Sequence, residues 1–142
     1  MDRVVTTELR VGWGDCDPAG IVYYPVFFRW FDVATFALFA AAGLPILELQ
    51  RRYGTLGLPL LEAGARFDAP ARPQDLLRIE SRIAAVGEKT VELRHAVFRD
   101  ETRLLDGREL RVWAVADPAR PKGMRAEPIP PEVAARLGRP PQ

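Results

Sequence analysis

The chain has 142 residues, a length typical of one domain. Hydrophobic residues make up 48% of it and charged residues 27%, and a net charge of +1 excludes the basic excess that nucleic-acid binding requires. A single cysteine excludes an internal disulfide, and the sequence has neither a signal-peptide pattern nor an apolar run long enough to cross a bilayer, so we expect a cytoplasmic protein without nucleic-acid or membrane partners.

The first half of the chain predicts a strand, a loop and a long helix. The strand covers residues 4–11 and the loop residues 12–24. The helix runs over residues 25–42, because Pro25 suits the first helical turn and Gly43 ends the helix. After Asp32 this helix is apolar on nearly every side, so a sheet or a neighbouring subunit has to cover it. The simplest ion-pair partner of Asp32 is Arg29, one turn earlier.

The remainder predicts a second short helix at residues 46–53 and then mostly strands. Apolar and polar residues alternate at residues 77–86 and 90–99, with a hairpin turn at Gly87-Glu88. Residues 58–69 and 108–117 complete the strands, the latter after a turn at Asp106-Gly107. Period-two alternation indicates one curved, five-stranded antiparallel sheet around one long helix, in the α+β class. Residues 118–142 form a Pro- and Arg-rich tail of the same single domain, with a short helix at residues 131–137.

Two carboxylates, Asp15 and Asp17, lie in the loop directly ahead of the long helix, together with Pro18 and Gly20. The start of a helix offers free backbone N–H groups and a partial positive charge, which stabilise a carbonyl oxygen as it becomes an oxyanion. A carboxylate beside such a site is the minimum apparatus for acyl transfer. The alternative is a turn with a capping residue, and the spacing alone leaves both interpretations open.

Residues 14–25, which read Gly-Asp-Cys-Asp-Pro-Ala-Gly-Ile-Val-Tyr-Tyr-Pro and are followed by Arg29, Trp30 and Asp32, closely resemble the 4-hydroxybenzoyl-CoA thioesterase family. Weaker similarity continues through residues 70–76, 94–95 and 109–114. The resemblance implies the hot-dog fold, in which an antiparallel sheet wraps a long helix. It also implies an acyl-CoA substrate, no cofactor, and a homo-oligomer whose minimum unit is a dimer, with a dimer of dimers expected.

The resemblance assigns the chemistry to the loop and the helix start. Asp17 either attacks the thioester carbonyl or activates water, and the backbone N–H of Tyr24 polarises that carbonyl. Asp15 is interpreted as a structural capping residue. Gly20 lets the loop pass close to the substrate, because glycine has no Cβ. Asp32 is a candidate contact for a polar group on the acyl ring, across a subunit interface.

Aromatic and basic residues supply the remaining substrate-binding candidates. Tyr23, Phe27 and Trp30 belong to an aromatic cluster around the helix start, which is either core packing or the surface that receives an aryl group. Lys89 lies in the Gly87–Thr90 turn, where the resembled family contacts the CoA phosphates. That family has more basic residues there than this chain, which has Gly87 and Glu88 instead. Lys122 and Arg125 in the tail are candidates to supply the missing charge, and solvated surface charge is the alternative for each.

Other catalytic chemistries lack their residues. His95 is the only histidine, so a zinc cluster is excluded and no metal is expected. Its position on an alternating strand indicates a structural, hydrogen-bonded residue. A Gly-x-Ser-x-Gly elbow and a glycine-rich phosphate loop are also absent. Cys16 lies between carboxylates that raise the pKa of its thiol, so it is a poor nucleophile.

The leading hypothesis is therefore a thioesterase that hydrolyses an aromatic acyl-CoA such as 4-hydroxybenzoyl-CoA. Two alternatives remain: a broader acyl-CoA or acyl-carrier-protein thioesterase, and a non-catalytic acyl-binding domain. A dehydratase is disfavoured, because that chemistry generally uses a histidine on or near the long helix. The non-catalytic alternative is disfavoured because a buried Asp17 without a task is costly to keep.

Overall fold

The computed structural model describes residues 3–138, and five of its strands form one antiparallel sheet. These strands are β1 (Val4–Arg10), β2 (Leu60–Phe67), β3 (Leu76–Val86), β4 (Thr90–Arg99) and β5 (Thr102–Val112). They lie in the order β1-β3-β4-β5-β2, so β1 and β2 are the two edges. The predicted α+β class and the five-stranded antiparallel sheet are confirmed.

The long helix α1 (Tyr24–Ala41) packs its buried side on the sheet. Pro25 lies in its first turn as predicted, and Gly43, with a φ of 76°, follows the capping residue Ala42. The second helix, α2 (Ile46–Tyr53), has the predicted bounds and ends at Gly54 with a φ of 71°. The residues that α1 buries are Phe27, Trp30, Phe31, Ala34, Thr35, Leu38 and Phe39.

The opposite side of α1 is not covered by residues 3–138 of the chain. Val33 is 51% exposed and Phe36 44% exposed, although both are large and apolar. The edge strand β2 adds a second exposed apolar group, formed by Leu60, Leu61 and Phe67. This chain's own sheet therefore covers one side of the helix, as predicted, and the other side is left for a neighbouring subunit. Within residues 3–138, no single helix is long and apolar enough to cross a membrane, although α1 and α2, bent by 69° at their break, pass that test as a pair on length and composition.

The predicted turn at Asp106-Gly107 is wrong. Strand β5 continues through both residues, and the turn between β4 and β5 lies at Asp100, which has a φ of 53°. Gly107 is required for packing instead, because a Cβ there would approach Phe31 Cζ to 2.5 Å. The predicted strand over residues 108–117 is accordingly split: β5 ends at Val112, and a short strand β6 (Ala114–Ala116) follows.

The tail contains more regular structure than predicted. Residues Met124–Ala126 form β7, which pairs with β6 in a separate two-stranded antiparallel sheet. The last helix, α3 (Pro131–Arg136), ends one residue earlier than predicted. Its Val133 and Ala134 are buried and belong to the core cluster at the C-terminal end of α1. The final predicted tail residues, 139–142, lie outside the described residues.

Candidate active site

The loop ahead of α1 folds back on itself as a narrow hairpin. Cys16 and Val22 form an isolated antiparallel bridge, the Asp17 N–H donates to the Ile21 carbonyl at 2.9 Å, and the Tyr23 N–H donates to the Asp15 carbonyl at 2.9 Å. These backbone bonds connect the two carboxylates to the residues that begin the helix. The loop therefore holds a defined geometry that does not depend on a ligand.

The two loop carboxylates have different environments. Both oxygens of Asp15 are occupied, one by the Gly12 N–H at 2.9 Å and the other by Arg29 at 3.2 Å. Asp15 is thus a structural residue, as predicted. In Asp17, Oδ1 accepts the Ala19 N–H at 2.9 Å, while Oδ2 has no partner within residues 3–138. Asp17 is half-buried, whereas the sequence analysis assumed that it is buried. Its burial therefore does not count against a non-catalytic binding domain.

The start of α1 presents one free donor. Tyr24 is the first residue of the helix and Pro25 the second, so the Tyr24 N–H has no intrahelical acceptor and Pro25 has no N–H. The next N–H, that of Val26, donates to the Tyr23 carbonyl at 2.9 Å. In the part of the chain that the structure describes, the Tyr24 N–H has no acceptor, so it is available to polarise a carbonyl.

Gly20 and Cys16 shape the rest of the loop. Gly20 has a φ of 79°, and a Cβ added there would meet no atom within 4 Å, so the backbone conformation rather than space requires glycine. Burial raises the pKa of the Cys16 thiol, and the charges of Asp15, Asp17 and Asp75 raise it further. The thiol is therefore protonated at neutral pH and is a weak nucleophile, as expected.

The predicted aromatic cluster divides into core and surface. Phe27 and Trp30 are 3% and 7% exposed and pack edge to face at 5.3 Å between ring centroids. Phe27 also contacts Phe67 of the edge strand β2 at 5.9 Å. Tyr23 is 51% exposed and packs edge to face on Tyr24 at 5.4 Å. Of the three predicted substrate-binding aromatics, only Tyr23 presents its ring at the surface of the isolated chain.

The predicted ion pair between Asp32 and Arg29 is wrong. Asp32 Oδ1 accepts from Arg111 Nη2 at 2.8 Å, and Arg29 pairs with Asp15. The partner of Asp32 is thus 79 positions away on β5, which the spacing of residues on one helix does not reveal. The Asp32 side chain remains 69% exposed, so one of its oxygens is open to a ligand.

Arg111 belongs to a buried polar network that the sequence analysis missed. Its Nε and Nη2 atoms donate to the two oxygens of Glu109 at 3.2 and 2.9 Å. His95, which is fully buried, lies 3.1 Å from Glu109 through Nε2 and 2.7 Å from Ser81 through Nδ1. The prediction that His95 is a hydrogen-bonded structural residue is confirmed. Glu109 and Arg111 alternate with Leu110 and Val112, so the apolar period assigns both charged residues to the outer face, and only the structure shows that they are buried.

Glu109 is ionised inside this network. Burial by itself raises the pKa of its carboxyl, but hydrogen bonds from His95, Arg111 and Thr35, together with the charge of Arg111, lower it to about 2. The Thr35 hydroxyl of α1 donates to Glu109 Oε1 at 2.7 Å, so the network also connects the helix to the sheet. An ionised carboxylate only accepts hydrogen bonds, so His95 donates to it through Nε2.

The basic candidates for coenzyme A differ in whether their charges are already paired. The turn that carries Lys89 is joined to the β6 region, because the Trp113 N–H donates to the Lys89 carbonyl at 2.8 Å. Lys89 and Lys122 are exposed and have no ion-pair partner in residues 3–138. Arg125, by contrast, is paired with Glu127 at 2.7 Å and Asp117 at 3.3 Å. Over the described range, no cluster of three His, Cys, Asp or Glu side chains could hold a metal.

Comparison with known proteins places this geometry in a family. The profile of the thioesterase-like superfamily matches residues 11–137. The 4-hydroxybenzoyl-CoA thioesterase of Pseudomonas sp. (strain CBS-3) is 35% identical over 136 residues, which cover 92% of this chain and 94% of that protein.

Solved structures agree. A mutant 4-hydroxybenzoyl-CoA thioesterase complexed with 4-hydroxybenzoyl-CoA is 33% identical and matches with a TM-score of 0.87, covering 95% of this chain and 99% of that chain. A gentisyl-coenzyme A thioesterase is 30% identical and matches with a TM-score of 0.78, covering 94% of this chain and 99% of that chain. The similarity extends along nearly the whole sequence and the whole sheet-and-helix arrangement, and it leads to one conclusion: this chain belongs to the 4-hydroxybenzoyl-CoA thioesterase family of hot-dog-fold thioester hydrolases.

Proposed function

We propose that this thioester hydrolase acts, as a single domain, on an aromatic acyl-CoA, with 4-hydroxybenzoyl-CoA as the leading candidate, and releases the free acid and CoA. One observation carries the proposal: Asp17 has a free carboxylate oxygen in a loop bonded to the start of α1, where the Tyr24 N–H has no acceptor among the described residues. The relatives that are at least 30% identical support the aromatic class, because their names specify 4-hydroxybenzoyl and gentisyl thioesters of CoA.

Two routes satisfy this arrangement. In the first, an Asp17 oxygen attacks the thioester carbon, the C–S bond breaks with loss of the CoA thiolate, and water hydrolyses the resulting anhydride. In the second, Asp17 takes a proton from water, the hydroxide attacks the carbon, and the departing thiolate recovers the proton. In both routes the carbonyl oxygen becomes negative, and the Tyr24 N–H stabilises that charge.

The acyl group and coenzyme A occupy different parts of the surface in this proposal. Tyr23 contacts the aryl group, with Phe27 and Trp30 supporting it from the core, and the loop at Gly20 passes beside the thioester. The open oxygen of Asp32 meets a polar group on the ring. Lys89 and Lys122 attract the CoA phosphates because both charges are unpaired in the described chain, and Arg125 contributes only after it is released from its carboxylate partners.

We also propose a homo-oligomer, with a dimer as its minimum and a dimer of dimers as its full form. Val33 and Phe36 on α1 and the apolar residues of the edge strand β2 remain exposed in the isolated chain. An edge strand with unpaired backbone groups and an apolar helix face are both stabilised by a second copy. Light scattering after size exclusion tests this: we expect two or four chain masses for the native protein and one for Phe36→Glu.

The experiment that tests the activity is thiol release from a panel of 4-hydroxybenzoyl-, benzoyl-, phenylacetyl-, acetyl- and palmitoyl-CoA. We expect hydrolysis confined to the aryl thioesters. Equal or higher rates on the aliphatic chains would assign the protein to the broader acyl-CoA class. No hydrolysis by a folded protein would leave an acyl-carrier-protein substrate or a binding role.

Two loop variants show whether the activity belongs to this site. We expect Asp17→Asn to lower kcat by at least about 100-fold without a change in melting temperature, because only the chemical step is lost. Asp15→Asn is the matched control, since its carboxylate is equally close in sequence but binds Gly12 and Arg29. We expect Asp15→Asn to lower the melting temperature and to lower kcat much less than Asp17→Asn does. Equal activity losses in both variants would contradict the assignment of Asp17.

A further inference from the structure

A continuous path of polar contacts connects the centre of the sheet to the exposed Asp32. From Ser81 the path passes to His95, then to Glu109, then to Arg111, which contacts Asp32 Oδ1 at 2.8 Å. Every member before Asp32 is at most 5% exposed. The path therefore has one open end, and that end is a carboxylate.

Stability by itself does not account for this network. Removing two charged groups from water is energetically unfavourable, and apolar residues of similar volume often stabilise a core equally well or better. Around this network the core is mostly apolar, with Leu77, Ile79, Leu93 and Val97 fully buried in the neighbouring strands β3 and β4. A buried ion pair that ends at the surface is better explained by the position that it gives to the exposed group.

The geometry of Arg111 supports that explanation. Its guanidinium is held at all three nitrogens: Nε and Nη2 bind Glu109, and Nη1 donates to the Leu58 carbonyl at 3.1 Å. A planar group bound at three nitrogens has a single orientation. Because the same Nη2 also contacts Asp32 Oδ1, the orientation of Arg111 determines where that carboxylate lies. Asp32 Oδ2 has no partner in residues 3–138 and is left to accept a hydrogen bond.

We infer that Arg111, anchored by Glu109, is a positioning residue that directs the free Oδ2 of Asp32 at a hydrogen-bond donor on the acyl group. This inference rests on the proposed function, in which Asp32 contacts that group. The Asp32 side chain is 69% exposed, so its free oxygen is open to an acyl group that is bound across a subunit interface. An aryl acyl group with a hydroxyl opposite its thioester has the donor for this arrangement.

The pair of Asp32 and Arg111 selects acyl groups by the substituent that lies opposite the thioester. A carboxylate paired with a guanidinium accepts hydrogen bonds and donates none, so it favours a hydroxyl. It disfavours an acyl group that carries a negative charge there. An unsubstituted ring leaves Oδ2 of Asp32 desolvated without a hydrogen-bond donor, and a hydrogen bond to a charged group corresponds to about 10- to 100-fold in kcat/KM.

The test compares kcat/KM for 4-hydroxybenzoyl-CoA with that for benzoyl-CoA, and the ratio of the two is the hydroxyl preference. We expect Asp32→Asn to lower this preference about 10-fold or more. Arg111→Lys keeps a positive charge for Glu109 but cannot hold two carboxylates with one planar group. We expect it to lower the preference by a similar factor, and to lower it no further when Asp32→Asn is already present.

Two further variants keep the inference falsifiable if Arg111→Lys does not fold. Arg108→Lys is the matched control on the same strand, since Arg108 pairs only with Glu92 and Glu62 at the surface. It leaves the preference unchanged. Asp32→Glu changes an exposed position and keeps the charge. Its longer side chain cannot contact Arg111 and also hold its second oxygen where Asp32 holds Oδ2. We expect it to lower the preference about 10-fold, and full retention would overturn the inference.

The outcomes separate this inference from the function on which it rests. Wild-type protein without activity on either aryl thioester overturns the proposed function and the inference together. A preference that Asp32→Asn leaves unchanged overturns the contact between Asp32 and the acyl group. A preference that falls in Asp32→Asn but not in folded Arg111→Lys overturns the positioning role alone. If Arg111 is purely structural, Arg111→Lys lowers kcat/KM for both substrates equally, and that result likewise overturns the positioning role.

Discussion

Gly107 of β5 lies directly beneath the ring of Phe31 of α1, and a Cβ at position 107 would come within 2.5 Å of Phe31 Cζ. The same ring stacks on His95 with centroids 4.7 Å apart and planes 8° from parallel. His95 is the register partner of Gly107 on the adjacent strand. The absence of one side chain therefore allows the long helix to lie close to the sheet over the buried polar network.

Gly107→Ala should destabilise the protein by about 1–3 kcal/mol, because the added methyl overpacks a rigid aromatic contact. Urea unfolding followed by fluorescence measures this. Gly64→Ala on the paired strand β2 is the control, since a Cβ there meets no atom within 4 Å. Similar losses of unfolding free energy in the two variants would show that the Phe31 contact does not constrain the strand.

The role of the main chain at Tyr24 can be separated from that of its ring. Tyr24→Pro removes the N–H at the first helical position, where proline is well tolerated, and Tyr23 already has an extended ψ of 124° that suits a following proline. We expect a loss of about 100- to 1,000-fold in kcat, the usual effect of removing one oxyanion donor. Thiol release under saturating substrate provides the measurement.

Two companion variants complete that experiment. Tyr24→Phe should leave turnover nearly unchanged, and Tyr24→Ala removes the ring but keeps the N–H. If Tyr24→Ala lowers kcat as much as Tyr24→Pro, the side chain and not the backbone donor is responsible. Circular dichroism of each variant shows whether α1 remains intact.

Gly20→Ala tests the conformation of the catalytic loop. A φ of 79° costs an L-residue about 1–2 kcal/mol, although the position has open space around it. We expect this strain to shift the Asp17 loop and to lower kcat, while most of the melting temperature is retained. Gly14→Ala is the control, because Gly14 also has open space but no positive φ. Equal kcat values in the two variants would contradict a requirement for the left-handed backbone.

The pH dependence of stability should report on Glu109. The pKa of its carboxyl falls from an ordinary 4.5 to about 2 on folding. A lowered folded-state pKa stabilises the protein above the unfolded value, and this contribution is lost as the pH falls from 4.5 through 2. The shift corresponds to about 3 kcal/mol.

The measurement is the difference in unfolding free energy between wild type and Glu109→Gln from pH 7 to pH 2. We expect a constant difference above pH 5 that shrinks by about 3 kcal/mol below it, because the glutamine has no proton to gain. Other carboxylates titrate in the same range, but their contributions cancel in this difference. A difference that is independent of pH would show that Glu109 is not ionised in the folded protein.

Local sequence signals predicted the elements that depend on neighbouring residues. Pro25 and Gly43 marked the beginning and end of α1, and the alternation at residues 77–86 and 90–99 predicted β3, β4 and the turn between them. The block at residues 14–25 predicted the family. Each of these signals acts over a few residues, through backbone conformation or side-chain period, so no tertiary information was needed.

The sequence by itself thus determined the helix, the hairpin, the family and the candidate role of Asp17. Only the tertiary structure decided that Asp32 pairs with Arg111, that Gly107 continues a strand, and that Glu109 is a buried ion. The physical reason is common to all three. Each depends on which side chain the sheet register and the packing of α1 bring into contact, over separations as large as 79 positions, whereas turn propensity and helical spacing describe only adjacent residues.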